Sequence, residues 1–451
     1  MKKSLVALFS VLVVLVFTAS AFALHAVEGQ EYQPSLVKAA KSMIELNGQI
    51  RIRGDLKKNN DFNDDAKDTT QKYDQRARFG VKAAVSENTF GVVELETTPG
   101  NSSTYDWGTM GTENKRQAMY IRQAYIAHQT NALGTLAGFK AGHMLLALGN
   151  NLFFDHTNYG DDAFILWTRV GAGELSFIDI KVDEGANGVK TQNDDLEAYV
   201  AALTMPIGDV IGLSTDVTYL RGHDKSVYDK GTQFINWGLR AMADMNVVKV
   251  NAGFEAQFGT DKKSAPDVFG NTENKHKGYA GMLGIEANAG PAAIRARAGY
   301  GSGDKVKDNG DSEGEDDAFR TLLTDNQYYT FVYDYSLQTA CGSVHTGLCN
   351  TMYFNLGAGV KPSPDFKGSL DFYYLQAVED VALNGATKKD KDLGYEIDGK
   401  IEYQISSNLA YYVEAGYLIA GNAYDRFDAA KGKDVDADNA YRVRHGIILN
   451  F

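Results

Sequence analysis

The chain ends in a stretch that decides its fold class, Tyr441-Arg442-Val443-Arg444-His445-Gly446-Ile447-Ile448-Leu449-Asn450-Phe451. Alternate positions carry Tyr, Val, His, Ile, Leu and Phe, whereas the positions between them carry Arg, Arg, Gly, Ile and Asn. Successive side chains of a β-strand point to opposite faces of the sheet. This period of two therefore predicts a strand with one largely apolar face and one mainly polar face.

The same alternation recurs along the chain. The first such strand has an apolar face and a polar face, with Ile44, Leu46, Ile50, Ile52 and Leu56 opposed to Glu45, Asn47, Gln49, Arg51, Arg53 and Asp55. The next strand opposes Tyr73, Ala77, Phe79 and Val81 to Asp74, Arg76, Arg78 and Lys82, and a later one opposes Tyr395, Ile397, Ile401 and Tyr403 to Glu396, Asp398, Lys400 and Glu402. These segments run for about ten residues or more, the length that crosses a bilayer at a tilt.

Short and long connections alternate between these strands. Eight short ones lie near residues 86–88, 130–134, 171–173, 205–209, 245–246, 288–291, 361–365 and 406–408. Nine long polar ones lie near 57–71, 98–115, 147–161, 184–193, 222–231, 260–276, 303–349, 379–391 and 421–439. The Tyr-rich segment Asn326 to Ser336 could pair as a strand, but an even strand number requires it to be loop. The pattern predicts an all-β transmembrane antiparallel β-barrel of about 18 strands over residues 44–451, with short periplasmic turns and long extracellular loops.

The amino terminus predicts export. Lys2 and Lys3 precede an apolar run and the small residues Ala19-Ser20-Ala21-Phe22-Ala23. This is typical of a cleaved signal peptide over residues 1–23, the alternative being an uncleaved membrane anchor. Residues 24–43 are then a periplasmic lead-in, compatible with a helix from Ser35 to Met43.

Composition narrows the function. Of 451 residues, 46 are Gly, 25 are Tyr and only 7 are Pro, which suits a large sheet. The net charge of −13 argues against a nucleic-acid partner, because such proteins usually carry a basic excess. In an oxidising compartment, Cys341 and Cys349 are expected to form a loop disulfide.

Signatures of catalysis are weak. The sequence contains no GxSxG, HExxH or P-loop motif, and its eight His residues show no metal-ligand spacing. The acidic loop 308–317 could bind Ca²⁺ but lacks the spacing of an EF-hand loop, so we interpret it as a solvated surface. We therefore expect no enzyme activity, no cofactor and no metal site.

Three stretches resemble a known group of proteins. They are Gln75-Arg76-Ala77-Arg78-Phe79-Gly80 with Gly91-Val92-Val93-Glu94-Leu95-Glu96; Arg122-Gln123-Ala124-Tyr125 with Lys140-Ala141-Gly142-His143 and Leu148-Gly149; and Asp392-Leu393-Gly394-Tyr395-Glu396-Ile397-Asp398 with Glu414-Ala415-Gly416-Tyr417. Together they resemble porin-like barrels of proteobacteria, including the eighteen-stranded alginate-export family. The terminal strand also looks like that of Gram-negative outer-membrane proteins, in which the last Phe, here Phe451, is part of the signal read by the barrel-assembly machinery. The resemblance implies an outer-membrane location among lipid and lipopolysaccharide, and a homotrimer.

Closing the barrel would place the last strand beside the first. Six lumenal guanidiniums then share three adjacent strands and form a basic wall, namely Arg51, Arg53, Arg76, Arg78, Arg442 and Arg444. Such a wall suits carboxylate or phosphate groups of a solute. The alternative is that these arginines pair with lumenal acids to stiffen the barrel.

The third long loop is unusually apolar for an outer loop. We expect it to fold into the lumen as a constriction, contributing Asn150, Phe153, Phe154, Asp155, His156, Asp161 and Asp162. Its three acids would then face the basic wall and set a transverse field. Packing on the barrel rim or on a trimer partner is the alternative.

Three functions are compatible with such a barrel. The first is a porin, a passive diffusion channel for small polar or anionic solutes. The second is an exporter of an anionic, alginate-like polysaccharide. The third is a sleeve that holds a periplasmic electron-transfer cytochrome.

Overall fold

A computed structural model describes residues 35–39, 42–98, 105–106, 118–132, 134–183, 195–222, 231–262, 271–305, 314–323 and 327–451. The expected signal peptide, residues 24–34 of the lead-in and residues 308–313 of the acidic loop lie outside these ranges. Among the described residues, no helix is both long enough and apolar enough to span a membrane.

Eighteen long strands form the sheet. In chain order they are β1 (Ser42–Lys58), β2 (Thr70–Ser86), β3 (Thr89–Thr98), β4 (Ala118–Ala132), β5 (Thr135–Met144), β6 (Asp161–Val170), β7 (Gly173–Asp183), β8 (Leu196–Ile207), β9 (Ile211–Gly222), β10 (Thr232–Asp244), β11 (Val248–Lys262), β12 (Tyr279–Ala289), β13 (Ala292–Gly301), β14 (Thr351–Ser363), β15 (Phe366–Val381), β16 (Asp390–Ser406), β17 (Leu409–Ala420) and β18 (Ala440–Asn450). Each strand pairs antiparallel with its neighbours in the chain, and β18 returns to pair with β1. The predicted antiparallel barrel of eighteen strands is confirmed.

The remaining elements are short and belong to the connections. They are the strands Ser35–Ala39, Tyr105–Asp106, Phe154–Asp155, Glu273–His276, Glu315–Asp316, Leu322–Leu323, Arg426–Asp428 and Lys433–Val435, the helix Tyr333–Ser336 and the 3-10 helix Asn422–Tyr424. The segment Ser35–Ala39 pairs antiparallel with the start of β1. The expectation of a helix there was wrong, because this segment extends the sheet as a hairpin.

Connections follow the predicted pattern. All eight short turns lie where the sequence placed them, and the long connections alternate with them at the other end of the barrel. The segment before Ser336 belongs to the connection between β13 and β14, as the parity argument required.

Burial is inverted relative to a soluble protein. Large apolar side chains such as Phe79, Leu356 and Ile397 are exposed on the outer face, whereas Asp74 and Glu396 are completely buried inside. A bilayer around the barrel removes the penalty for exposed apolar surface, and a polar lumen supplies partners for the charged groups. The functional chemistry of this chain is therefore expected inside the barrel.

Candidate functional site in the lumen

The six predicted arginines lie on the inner faces of three adjacent strands. The register pairs Arg51 with Arg76 between β1 and β2. Between β1 and β18, the register pairs Asp55 with Arg444. Closure of the barrel thus brings together residues almost four hundred positions apart in the chain.

Carboxylates interleave with these arginines. Asp74 accepts bonds of 2.8 and 2.6 Å from Arg53 Nε, and its Oδ1 lies 3.9 Å from Arg51 Nη2. Asp55 accepts a bond of 2.8 Å from Arg442 Nε and one of 3.1 Å from Arg444 Nη2. Both carboxylates are buried.

The second strand completes the wall. Arg76 Nη2 donates a 2.5 Å hydrogen bond to Gln49, and Arg78 forms an ion pair with Glu96 on β3. Among the described residues, three carboxylates, Asp55, Asp74 and Glu96, pair with five of the six guanidiniums, and Arg76 bonds Gln49. The pairing with lumenal acids, the second interpretation of the sequence, is therefore present, and the selectivity of the wall stays a prediction.

Residues of the connection 302–350, the seventh long loop, cover part of the wall. The Tyr335 ring centroid lies 4.4 Å from Arg442 Cζ and 4.9 Å from Arg444 Cζ. Phe331 stacks on the same guanidiniums at 4.9 and 5.1 Å. Arg442 Nη1 also donates a 2.8 Å hydrogen bond to Ser336 Oγ. Two of the six arginines are thereby covered by aromatic rings.

This loop is anchored on β16. The buried carboxylate of Glu396 accepts backbone N–H bonds from Phe331 at 2.9 Å, Val332 at 2.5 Å and Tyr333 at 2.8 Å. Asp398 accepts a further bond of 2.9 Å from the Phe331 N–H. A carboxylate that accepts three successive backbone donors holds a loop strongly.

Two loop groups have shifted pKa values. Burial, together with the nearby Glu396 charge, raises the pKa of Asp334 to about 7. Burial also raises the pKa of Tyr335, but Arg444, Arg53 and Arg442 lower it by more, so that it falls to about 8. The loop therefore carries two groups that titrate near neutral pH.

The third long loop, residues 145–160, also lies inside the barrel. Phe153 and Phe154 are buried, and the Phe153 ring lies 6.0 Å from that of Phe234 on β10. Phe154 pairs with Leu322 of the seventh loop in a two-stranded parallel ladder. The two loops thus meet within the lumen, and the seventh, not the third, contacts Arg442 and Arg444.

The acids of the third loop and of β6 do not form the predicted counterpart of the basic wall. Asp155 Oδ1 accepts bonds from the backbone N–H and hydroxyl of Thr157, at 2.9 and 2.6 Å. Asp161 bonds the His156 ring at 2.8 Å, and Asp162 lies on the outer face, 3.0 Å from His143 Nδ1. The placement of Asp162 in the constriction was wrong, because alternation along β6 turns it away from the lumen.

A buried cluster of three charged side chains on β9, β10 and β11 was not predicted from the sequence. Arg240 on β10 forms ion pairs with Asp216 on β9 and Glu255 on β11, and all three side chains are at most 2% exposed. Asn236 Nδ2 donates a 2.7 Å bond to Glu255. Each residue occupies an inward position of an alternating strand, so only their inward direction could be read from the sequence.

The third loop packs against this cluster at Gly149. This residue has φ of +50°, and a Cβ built on it would lie 1.8 Å from Arg240 Nε. Gly149→Ala is expected to displace the loop or Arg240, in addition to the roughly 1 kcal/mol cost of a left-handed alanine. Gly171→Ala is the control, since its φ is +61° and nothing lies within 4 Å of its Cβ position. Urea unfolding in detergent micelles should show that Gly149→Ala lowers the free energy of unfolding more than Gly171→Ala does. Equal decreases would contradict the contact between Gly149 and Arg240.

Two further predicted sites have a defined place. Cys341 and Cys349 are joined by a disulfide, with their Cα atoms 5.9 Å apart, in the seventh loop. Phe451 exchanges backbone bonds of 2.7 and 3.0 Å with Gly48 of β1, at the barrel seam. Its exposed ring lies on the outer surface, where it is accessible to the barrel-assembly machinery.

Among the described residues, no group of three or more His, Cys, Asp or Glu side chains is arranged to hold a metal ion.

The sequence matches no protein-family model and no curated protein. Solved structures do resemble the barrel. OccAB1 of Acinetobacter baumannii superposes with a TM-score of 0.56 at 12% identity, covering 90% of this chain and 96% of that one. OccK2 (OpdF) of Pseudomonas aeruginosa, solved in complex with glucuronate, superposes with a TM-score of 0.56 at 10% identity, covering 90% and 98%. These structures are outer-membrane porins, and the chain therefore has the porin fold.

Proposed function

We propose that the protein is an outer-membrane porin of a Gram-negative bacterium that passes small polar or anionic solutes by diffusion. The observation that carries this proposal is the closed barrel with six guanidiniums on three adjacent inner faces. Arg51 and Arg53 keep 14% and 12% of their side-chain surface exposed, so part of the wall faces the open lumen. Lumenal charge of one sign raises the local concentration of the opposite ion and selects for it.

The third and seventh loops, which fold into the lumen, help to distinguish this function from the cytochrome sleeve and the polysaccharide exporter. A cytochrome sleeve would need a lumen wide enough for a protein, but the third and seventh loops occupy the lumen and contact each other. Export of an alginate-like polymer would need a continuous path past the same loops. The arrangement favours small solutes over either alternative. A homotrimer remains part of this proposal, to be measured by the mass of the detergent-solubilised barrel.

Planar-bilayer recording of the purified barrel tests the proposal. Stable open steps with anion preference across a KCl gradient are expected. A folded barrel without open steps would instead support a plugged exporter or a sleeve that awaits its partner.

Removing charge from β2 tests the basic wall. Arg76→Ala with Arg78→Ala is expected to lower the anion-to-cation permeability ratio several-fold, because two lumenal cations are lost. The matched control is Lys388→Ala with Lys389→Ala, an equal charge change on exposed loop residues. The reversal potential measures the ratio, and an unchanged value in the arginine variant would discard the wall.

A further inference from the structure

The seventh loop is closed on itself by the disulfide between Cys341 and Cys349. We call residues 341–349 the disulfide ring, and we call Phe331–Ser336, which lies over Arg442 and Arg444, the covering segment. Cys349 is buried, whereas Cys341 keeps part of its surface exposed and residues 342–344 are fully exposed. A dissolved thiol can therefore reach the bond at Cys341.

One side of the disulfide ring packs against the wall of the barrel. Leu348 is buried, and a Cβ built on Gly299 of β13 would lie 3.0 Å from Leu348 Cδ2. The carbonyl of Gly347 accepts a 3.0 Å hydrogen bond from the Tyr329 hydroxyl. These contacts fix the position of the ring in the lumen.

The disulfide ring also contacts the covering segment. The imidazole of His345 meets the Tyr335 ring edge to face, with the ring centroids 5.6 Å apart. Such pairs hold both rings in a defined orientation. Because Tyr335 in turn lies over Arg442 and Arg444, the disulfide ring is connected to the basic wall through one aromatic side chain.

The two halves of the covering segment are held by different groups. The Glu396 carboxylate accepts hydrogen bonds from the backbone N–H groups of Phe331, Val332 and Tyr333, in the first half. The disulfide ring contacts the second half, at Tyr335. Opening the ring should thus free the second half while the first half stays docked on β16.

Reduction of this bond is a two-electron exchange. A thiolate of a small dithiol attacks Cys341 Sγ, the S–S bond breaks, and Cys349 leaves as a thiolate. The second thiol of the reagent then displaces Cys341 from the mixed disulfide. The products are two cysteine thiols, which take up the two protons of the dithiol, and the oxidised cyclic disulfide of the reagent.

We propose that the disulfide ring is a redox-sensitive switch of the seventh loop. With the bond formed, the ring holds Tyr335 over Arg442 and Arg444. Reduction by a low-molecular-weight thiol lets Tyr335 move away, so that both guanidiniums face the lumen. This inference goes beyond the proposed channel function, because it concerns how access to the basic wall is controlled.

Hydrogen–deuterium exchange measured by mass spectrometry tests the switch on the purified, folded barrel before and after treatment with dithiothreitol. A disulfide restricts the open states of the chain that it closes, so exchange in residues 334–349 should become about tenfold faster or more after reduction. Exchange in residues 331–333 and in the third loop should stay unchanged. Oxidised dithiothreitol is the reagent control, and heat-modifiable migration on gels verifies that the barrel stays folded.

Two sets of variants locate the effect. Cys341→Ser with Cys349→Ser should exchange as the reduced protein does and should not respond to dithiothreitol. His345→Ala should speed exchange in residues 334–336 several-fold with the bond intact. Val344→Ala is the matched control, because Val344 is the neighbouring ring residue and 47% exposed, and its exchange should not change.

Each contrary result overturns a defined part of the proposal. Unchanged exchange after reduction, with both thiols verified by maleimide labelling, would show that the bond is only a structural cross-link. Equal acceleration in residues 331–333 would show that the two halves are not held separately. Equal effects of His345→Ala and Val344→Ala would remove the contact through which the ring acts on Tyr335.

Planar-bilayer recording adds a functional measurement. Dithiothreitol on the side of the long loops should raise the anion-to-cation permeability ratio, and an unchanged ratio would show that loosening Tyr335 does not expose the arginines. Exchange needs no conduction. Faster exchange in a barrel that shows no open steps would therefore contradict the channel and leave the loosening of the loop standing.

Discussion

Arg240→Met is expected to destabilise the barrel by roughly 3–5 kcal/mol, the cost of breaking a buried ion pair from one side. The substitution leaves Asp216 and Glu255 buried side by side without their shared cation. Because Gly149 packs against Arg240, the third loop should also lose this packing contact, and the current through a single channel should become noisier. The midpoint of urea unfolding in micelles measures the first effect, and planar-bilayer recording measures the second.

Replacing the cation of an exposed pair by Met is the control. Lys249 Nζ lies 3.2 Å from Asp244, with 49% and 48% of the two side chains exposed, so Lys249→Met should cost at most about 1 kcal/mol. Neutralising both acids together with Arg240→Met, as Asp216→Asn and Glu255→Gln, should recover much of the loss. Equal effects of Arg240→Met and Lys249→Met would show that the cluster does not support the lumen.

Glu396→Ala is expected to release the seventh loop from the wall. Asp398 still accepts the Phe331 N–H, but the buried N–H groups of Val332 and Tyr333 lose their acceptor. Each such bond to a charged acceptor contributes about 1.5–3 kcal/mol, so the undocked population should rise more than tenfold. Single-channel conductance should increase, and chymotrypsin should cut the loop at its newly exposed aromatic residues.

Glu402→Ala is the matched variant on the same strand and face. Glu402 pairs with Lys367 at 3.0 Å, and both side chains are at least one-third exposed. Its removal should leave cleavage and conductance unchanged. If Glu396→Ala resists chymotrypsin as well as Glu402→Ala does, the docking of the loop does not depend on Glu396.

Several features of the lumen could be derived from local sequence pattern. Period-two alternation depends on neighbouring residues alone, so it identified the strands and the inward direction of Arg51, Arg76 and Arg442. The alternation of short and long connections gave the strand number, and parity assigned the segment before Ser336 to a loop. Closure then brought the first and last strands together, as any closed barrel must.

The docking of the loops could not be derived in this way. Glu396 accepts a hydrogen bond from the backbone N–H of Phe331, 65 positions earlier. Because every residue except proline carries this backbone donor, residue type does not reveal which one Glu396 binds. The apolar composition of the third loop predicted that it folds into the lumen, but it did not predict that the loop contacts Arg240.

The sequence alone determined that this protein is an eighteen-stranded barrel and which side of each strand faces the lumen, because strand geometry converts local order into direction. The tertiary structure alone decided that Tyr335 covers Arg442 and Arg444 and that Asp162 lies outside. Those outcomes depend on which distant groups meet across the lumen, and pairing across a closed space is a property of the whole barrel.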